Sequence, residues 1–204
     1  MDILQHIPFA AMIAIIAATV LRGIAIRRHT GDHPLAFLDA TGIQRIAGMS
    51  FAASTAALIV ASGMAARDAM TDLALPAAVV ALVGAAVVIV AQVQMGRAWR
   101  IGVREGDAPL FVSHGLFRFS RNPIFVGMMT VGLAAALASQ LWWAWAALAA
   151  FIVSCAVQVR IEERHLEASF GQSYRDFRAT VPRWLGLGGR ASVVHPTRQL
   201  RAKS

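Results

Sequence analysis

The chain has 204 residues, of which 57% are hydrophobic and only 15% charged, with a mean hydropathy of +0.60. Ordinary soluble domains carry roughly 25% charged residues, so this balance excludes a soluble globular fold and predicts an integral membrane protein. The net charge of +8 and the pI of 11.5 follow from membrane topology and contact with anionic lipid. Nucleic-acid binding is not expected, because basic residues scattered among membrane loops make no phosphate-tracking surface.

Apolar blocks without acids or bases cover 3–21, 46–66, 73–96 and, apart from Arg121, 119–159. Each reaches or exceeds the roughly 20 residues that cross a hydrocarbon core of about 30 Å. The first block resembles a signal peptide in length only. It lacks a basic region before the apolar stretch and has its positive charges after it, so retention as a membrane helix is expected. A polar loop follows, with a short interfacial helix predicted around 34–40. The second block, GMSFAASTAALIVASGM, is rich in Gly, Ser and Ala, which let helices approach closely. The third ends near Gln92 and Gln94, which either solvate the helix end or line a polar opening.

The fourth block is too long for one crossing. A helix from Pro123 to Val159 would extend about 55 Å at roughly 1.5 Å per residue, so the chain is predicted to fold back near Ser139-Gln140 into arms over 123–138 and 142–159. Trp142, Trp143 and Trp145 at the start of the second arm favour the headgroup level. Five crossings place all but Arg67 of the 19 Lys and Arg residues on one side. By the positive-inside rule that side is cytoplasmic, with the amino terminus outside; the expected location is a bacterial inner membrane. Beyond the hairpin, Ile161, Leu166, Phe170, Tyr174, Phe177 and Val181 recur three or four residues apart in many places. Two short amphipathic helices split by Gly171 are predicted, the second ended by Pro182. The fold class is therefore all-α and polytopic, a single domain over 1–190 with a flexible cytosolic tail at 191–204.

Chemistry-bearing residues gather at the two ends of the hairpin. Pro123 suits the first turn of a helix and Asn122 its cap. That pair reads structurally, or else free N–H groups at the helix start, aided by Arg121, receive an anion. Glu162 and Glu163 follow the far arm; antiparallel closure brings 115–123 and 159–166 to one membrane surface. Adjacent acids point about 100° apart on a helix and so take different tasks. Metal binding is not expected: His29 and His33 have ligand spacing but Thr-Gly lies between them, and Cys155, the single cysteine, reads as a packing residue. GxSxG and Walker motifs are absent.

Residues Gly115, Phe117, Arg118, Phe119, Arg121, Asn122, Pro123, Phe125 and Gly127, followed after the hairpin by Glu162, Glu163, Leu166, Phe170, Gly171, Tyr174, Phe177, Val181, Pro182 and Arg183, resemble the signature of the isoprenylcysteine carboxyl methyltransferase and phospholipid methyltransferase superfamily. The resemblance runs from Met95 to Arg183. It implies S-adenosylmethionine as cofactor, bound at a cytosol-facing pocket by Gly115, Leu116, Arg121, Asn122, Pro123, Phe125, Glu162 and Glu163. It also implies a lipophilic small-molecule or prenylated acceptor arriving among the membrane lipids. Asn122 stands where the family has histidine, which removes any cationic role there, and Phe125 replaces a tyrosine. On this reading Glu163 engages the cofactor's amino group and N–H groups near Leu116 and Asn122 its other polar parts, while Arg160 or Arg121 orients an acceptor carboxylate. A carboxylate needs no base and an amine does, and with no base evident the expected activity is carboxyl O-methylation. Phospholipid or another hydrophobic acceptor is the alternative. A noncatalytic membrane scaffold or transporter is the competing class.

Overall fold

The computed structural model describes residues 3–30, 42–66, 72–96 and 112–186. Its elements are α1 (Ile7–Thr30, preceded by a 3-10 turn at Ile3–His6), α2 (Gly42–Ala65), α3 (Ala74–Met95), a 3-10 turn at Gly115–Arg118, α4 (Pro123–Ser139), α5 (Trp142–Phe170) and α6 (Gln172–Thr180). Among the described residues there is no strand. Four of the helices are long and apolar enough to cross a membrane, and α4, at 17 residues, is a shorter apolar helix. The predicted interfacial helix at 34–40, His33, the side chain of His29 and the carboxy-terminal tail lie outside the described residues.

The chain reverses where expected. Gln140 takes the left-handed conformation with φ 53° and its N–H donates to the Ala136 carbonyl at 3.0 Å, which closes α4 and lets α5 start two residues later. Trp142 is 80% exposed and Trp145 44%. One prediction needs correction: the first amphipathic helix is not separate but the continuation of α5. Nothing between Val159 and Phe170 breaks a helix, and the first break is Gly171 at φ 54°. The apolar part of α5, Trp142–Val159, is about 27 Å long at roughly 1.5 Å per residue, so residues 160–170 project beyond the span.

Helices α3 and α4 approach until their backbones touch. A Cβ on Gly127 would sit 2.7 Å from the Gly84 carbonyl oxygen, and one on Gly84 would sit 2.8 Å from the Gly127 carbonyl oxygen. Neither position admits a side chain, which fixes the register of the two helices and with it the height of the loop before α4. The core between them and α1, α2 and α5 is built from small and branched residues, among them Leu58, Val88, Val131, Ala135, Leu148 and Phe151. Buried polar groups inside the bundle are satisfied locally: Ser154 donates to Ser50 at 2.8 Å and Gln92 to Thr19 at 3.0 Å. A cleft of about 40 Å³ lined by Met12, Ile15, Leu58, Met128 and Phe151 lies in this apolar region.

Candidate functional site at the end of the α4–α5 hairpin

The loop that enters α4 is pinned from three sides. Gly115 has φ 59°, and a Cβ there would collide with the side chain of Gln94. Gln94, at the end of α3, accepts the Leu116 N–H at 2.8 Å, so it neither merely solvates a helix end nor stands open in a polar mouth. Ser120, 1% exposed, accepts the Asn122 N–H at 3.0 Å and donates to the Arg183 carbonyl at 3.4 Å.

The chain beyond α6 lies alongside this loop. The Arg121 N–H donates to Pro182 O at 2.9 Å, Asn122 Nδ2 to Arg183 O at 3.1 Å, and the Gly186 N–H to Phe119 O at 3.2 Å. Asn122 does occupy the cap position of α4, with Pro123 at its first turn, but its side chain makes no capping bond; its amide is turned toward Arg183 instead. The N–H groups of Leu116 and Asn122 themselves are not free donors. Both are taken, one by Gln94 and one by Ser120.

Helix α6 docks through the apolar stripe legible in the sequence. Tyr174, Phe177 and Val181 are buried against Leu166 and Phe170, and the Tyr174 and Phe177 ring centroids are 6.1 Å apart. This places the α6 carboxy terminus over α5 at Glu163.

Glu163 is the centre of the site. It is 5% exposed, and its carboxylate receives two arginines. Arg121 donates to Oε1 through Nε at 3.1 Å and Nη2 at 2.8 Å. Arg183 donates through Nη2 to Oε2 at 2.7 Å and through Nε to Oε2 at 3.0 Å. Burial alone would push this carboxyl up, but hydrogen bonds and charge from Arg183 and Arg121 outweigh it and hold it below the usual carboxylate range. Glu163 in turn pushes the Arg183 guanidinium further up.

The two arginines differ. The Arg121 side chain is 7% exposed and its Nη1 donates to Val181 O at 2.6 Å and Arg178 O at 3.1 Å, closing the orphan carbonyls at the end of α6. Tyr174 hydrogen-bonds the same guanidinium, and burial followed by the nearby Glu163 charge pushes its phenol up to about 12. The Arg183 side chain is 36% exposed. Among the described residues its guanidinium hydrogen-bonds Glu163 alone.

The remaining predicted residues separate from this cluster. Arg160 is exposed and donates to Ala156 O of its own helix at 3.1 Å. Phe125 packs on the apolar core. Glu162 is not beside Arg121; it accepts from Gln158 Nε2 at 3.2 Å. Although Glu162 as a whole is half-buried, the burial of its carboxyl pushes it up to about 7, partly offset by Gln158 and reinforced by the Glu163 charge. His165 lies three residues on, on the same face as Glu162, and its Nε2 is buried without a hydrogen-bond partner among the described residues. No group of His, Cys, Asp or Glu among the described residues has metal-binding geometry.

Sequence reasoning named Arg183 only as the last letter of a motif and left Ser120 out entirely. Its one signal was Pro182, which ends α6 and turns the next side chain back toward Glu163.

Comparison with known proteins supplies the family. The family model described as phospholipid methyltransferase matches residues 73–173, about half of the chain, from the start of α3 into α6. No curated protein and no solved structure gives a significant match. The matched stretch contains the Gly84–Gly127 contact, the pinned loop, the hairpin and Glu163, and the chain belongs to the superfamily of membrane methyltransferases that includes the phospholipid and isoprenylcysteine carboxyl enzymes.

Proposed function

We propose that the protein transfers a methyl group from S-adenosylmethionine to a lipophilic acceptor where the membrane meets the cytosol, and that the acceptor is an amine-bearing lipid of the phospholipid type. The observation that carries the cofactor reading is Glu163, a buried carboxylate kept ionised by two arginines at the end of the hairpin. Such a group fits the ammonium of an aminoacyl moiety. When bound, the cofactor supplies a methyl group on a sulfonium centre, an electrophile that needs a nucleophile with a free lone pair.

A protonated amine has no lone pair, so an amine acceptor requires a base and a carboxylate acceptor does not. The base absent from the sequence reading has a structural counterpart in Glu162. A carboxyl that titrates near 7 can take a proton from an ammonium at neutral pH and release it to water afterwards. The arginines assigned to a carboxylate acceptor are otherwise occupied, Arg121 by Glu163 and two carbonyls and Arg160 by its own helix. Those three observations move the weight from carboxyl to amine. The matched family's description points the same way. Within the span, the apolar cleft near Phe151 lies about 18 Å along α5 from Glu163 at roughly 1.5 Å per residue, within reach of a lipid tail.

The second reading, carboxyl O-methylation of a prenylated or similar acceptor, keeps support from Arg183, whose guanidinium is partly open to water beside Glu163 and suits an anion. The test is transfer of radiolabelled methyl by purified protein in nanodiscs containing phosphatidylethanolamine, against the same nanodiscs supplied with a prenylcysteine. Label in the phospholipid, reduced at least tenfold by Glu162→Gln with cofactor binding intact, is expected. Label in base-labile ester on the prenylcysteine alone would replace the amine reading with the carboxyl one.

A further inference from the structure

The carboxylate that the proposed function assigns to a cofactor ammonium is already filled by arginine, and the way it is filled carries information. Oε1 of Glu163 belongs chiefly to Arg121, and Oε2 belongs to Arg183. Arg121 cannot leave without releasing the two carbonyls at the end of α6. Arg183 is partly exposed, and among the described residues releasing its side chain breaks only its bonds to Glu163. Its backbone stays put, since Ser120, Asn122 and the neighbouring Pro182 and Gly186 contacts hold residues 182–186 against the loop. The guanidinium is thus a tethered arm, free to swing away from Oε2 but not to leave the site.

Charge decides what can take its place. Glu163 with Arg121 and Arg183 sums to one positive charge, so an ammonium arriving alone would add a second positive charge at a poorly solvated site. An α-amino acid zwitterion adds none. Its ammonium replaces the guanidinium on Oε2 and its carboxylate receives the displaced guanidinium, so one ion pair becomes two. Water can take up the displaced guanidinium, because Arg183 is partly exposed, but not the carboxylate, because Glu163 is buried; the arriving ammonium therefore has to replace the guanidinium on Oε2 as it leaves, and each new pair is a charge-assisted contact.

We propose that the Glu163–Arg183 ion pair is the receptor for the α-amino acid end of the cofactor, which inserts between the two side chains: Glu163 binds the ammonium, Arg183 binds the carboxylate, and Arg121 holds Glu163 in place. This rests on the cofactor reading above and adds Arg183 as a cofactor-binding residue.

The experiment measures binding of two ligands to the full chain in nanodiscs by calorimetry. One is S-adenosylhomocysteine; the other is its decarboxylated analogue, which keeps the amine and nucleoside and lacks the carboxylate. The wild-type protein is expected to prefer the carboxylate-bearing ligand by about 10- to 100-fold, the value of one hydrogen bond between charged groups. Arg183→Met is expected to abolish that preference without weakening the decarboxylated analogue, whose ammonium no longer competes with a guanidinium for Oε2, and Arg183→Lys to restore part of the preference. A merely structural role would weaken both ligands together. Retention of the preference in Arg183→Met, or equal loss for both ligands, overturns the insertion. Failure of folded wild-type protein to bind either ligand overturns the cofactor reading itself.

Discussion

Removing Glu163 and removing Arg183 break the same ion pair, yet the structure makes their costs unequal. Glu163→Gln leaves the Arg121 guanidinium, 7% exposed, without its counter-ion. Breaking a buried pair from one side costs about 3–5 kcal/mol. Here Nη1 keeps its two carbonyls and Gln can still accept one hydrogen bond, which brings the expected cost down to about 2 kcal/mol, below the range for an uncompensated charge. Arg183→Gln removes a side chain that is 36% exposed and leaves the buried Glu163 paired with Arg121, so no charge is left without a counter-ion and the cost is about 1 kcal/mol, the upper end for pairs open to water on one side. The element that registers both losses is α6, whose last carbonyls Arg121 holds. Hydrogen exchange of 172–181 in nanodiscs, followed by mass spectrometry, reads the opening directly. At about 1.4 kcal/mol per tenfold, Glu163→Gln should speed exchange of α6 about 30-fold and Arg183→Gln no more than about fivefold. Equal effects, or a larger one from Arg183→Gln, would mean that Arg121 is not the anchor and that the cluster has been partitioned wrongly.

Acid should loosen α6 in the wild type. Glu163 has a folded-state pKa below its unfolded value, so its contribution is complete above about 4.5 and is lost as pH falls through the folded value; α6 exchange corrected for intrinsic rates should rise in that acid window and be flat in Glu163→Gln. Glu162 acts in the opposite sense. Its pKa rises on folding from 4.5 to about 7, so below the first value both states are protonated, and stability falls as pH rises between the two. Glu162→Gln should abolish that decline, and a variant that melts with the same pH profile as wild type would refute the assignment. In the bundle, Gly127→Ala puts a methyl 2.7 Å from both the Gly84 carbonyl oxygen and a Val88 methyl and should cost about 1–3 kcal/mol as overpacking. Gly48→Ala, with nothing within 4 Å, should leave the melting temperature unchanged or slightly raised; equal effects from the two would remove the backbone contact as the feature that sets the height of the α4 loop.

The hairpin was legible because its cause is a length: an apolar run too long for one bilayer must reverse, and Gln140 takes the turn that the charge-free run leaves to its most polar stretch. The stripe from Leu166 to Val181 was legible because burial imposes a period. The division of that stripe into helices was not, since the apolar period continues through Phe170 whether the segment begins a new helix or extends α5; only Gly171 marks a break. In the site, antiparallel closure gave the meeting of Arg121 with the Glu162–Glu163 pair, but which acid meets it depends on the rotation of α5. That rotation is set by the packing of Ser154, Cys155 and Val159, all buried, and no local pattern reports it. Gln94 was ambiguous for a related reason: a glutamine at a helix end has the same sequence signature whether it meets water or, as here, the backbone of a loop some twenty residues later.

The distribution of satisfied and unsatisfied polarity separates interfacial chemistry from transport. A transporter needs polar groups near mid-membrane that exchange partners with a substrate. Within the span, these polar side chains are already bonded: Ser154 to Ser50 across helices and to its own helix, and Thr55 and Thr130 to carbonyls one turn back on their own helices. The groups with capacity left over are at one end, where Arg183 is half in water, Glu162 carries a carboxyl near neutrality and His165 has a buried nitrogen unpaired among the described residues. Glu162 and His165 stand on α5 just beyond its apolar part, about one turn past the level where a lipid's hydrocarbon gives way to its headgroup, and Arg183 reaches the same level from the segment after α6 through Glu163. A tail left in the bilayer would therefore place its polar end beside these residues without being lifted from the membrane, and the register that achieves this is fixed far from the chemistry, by two glycines whose missing side chains let α3 and α4 touch.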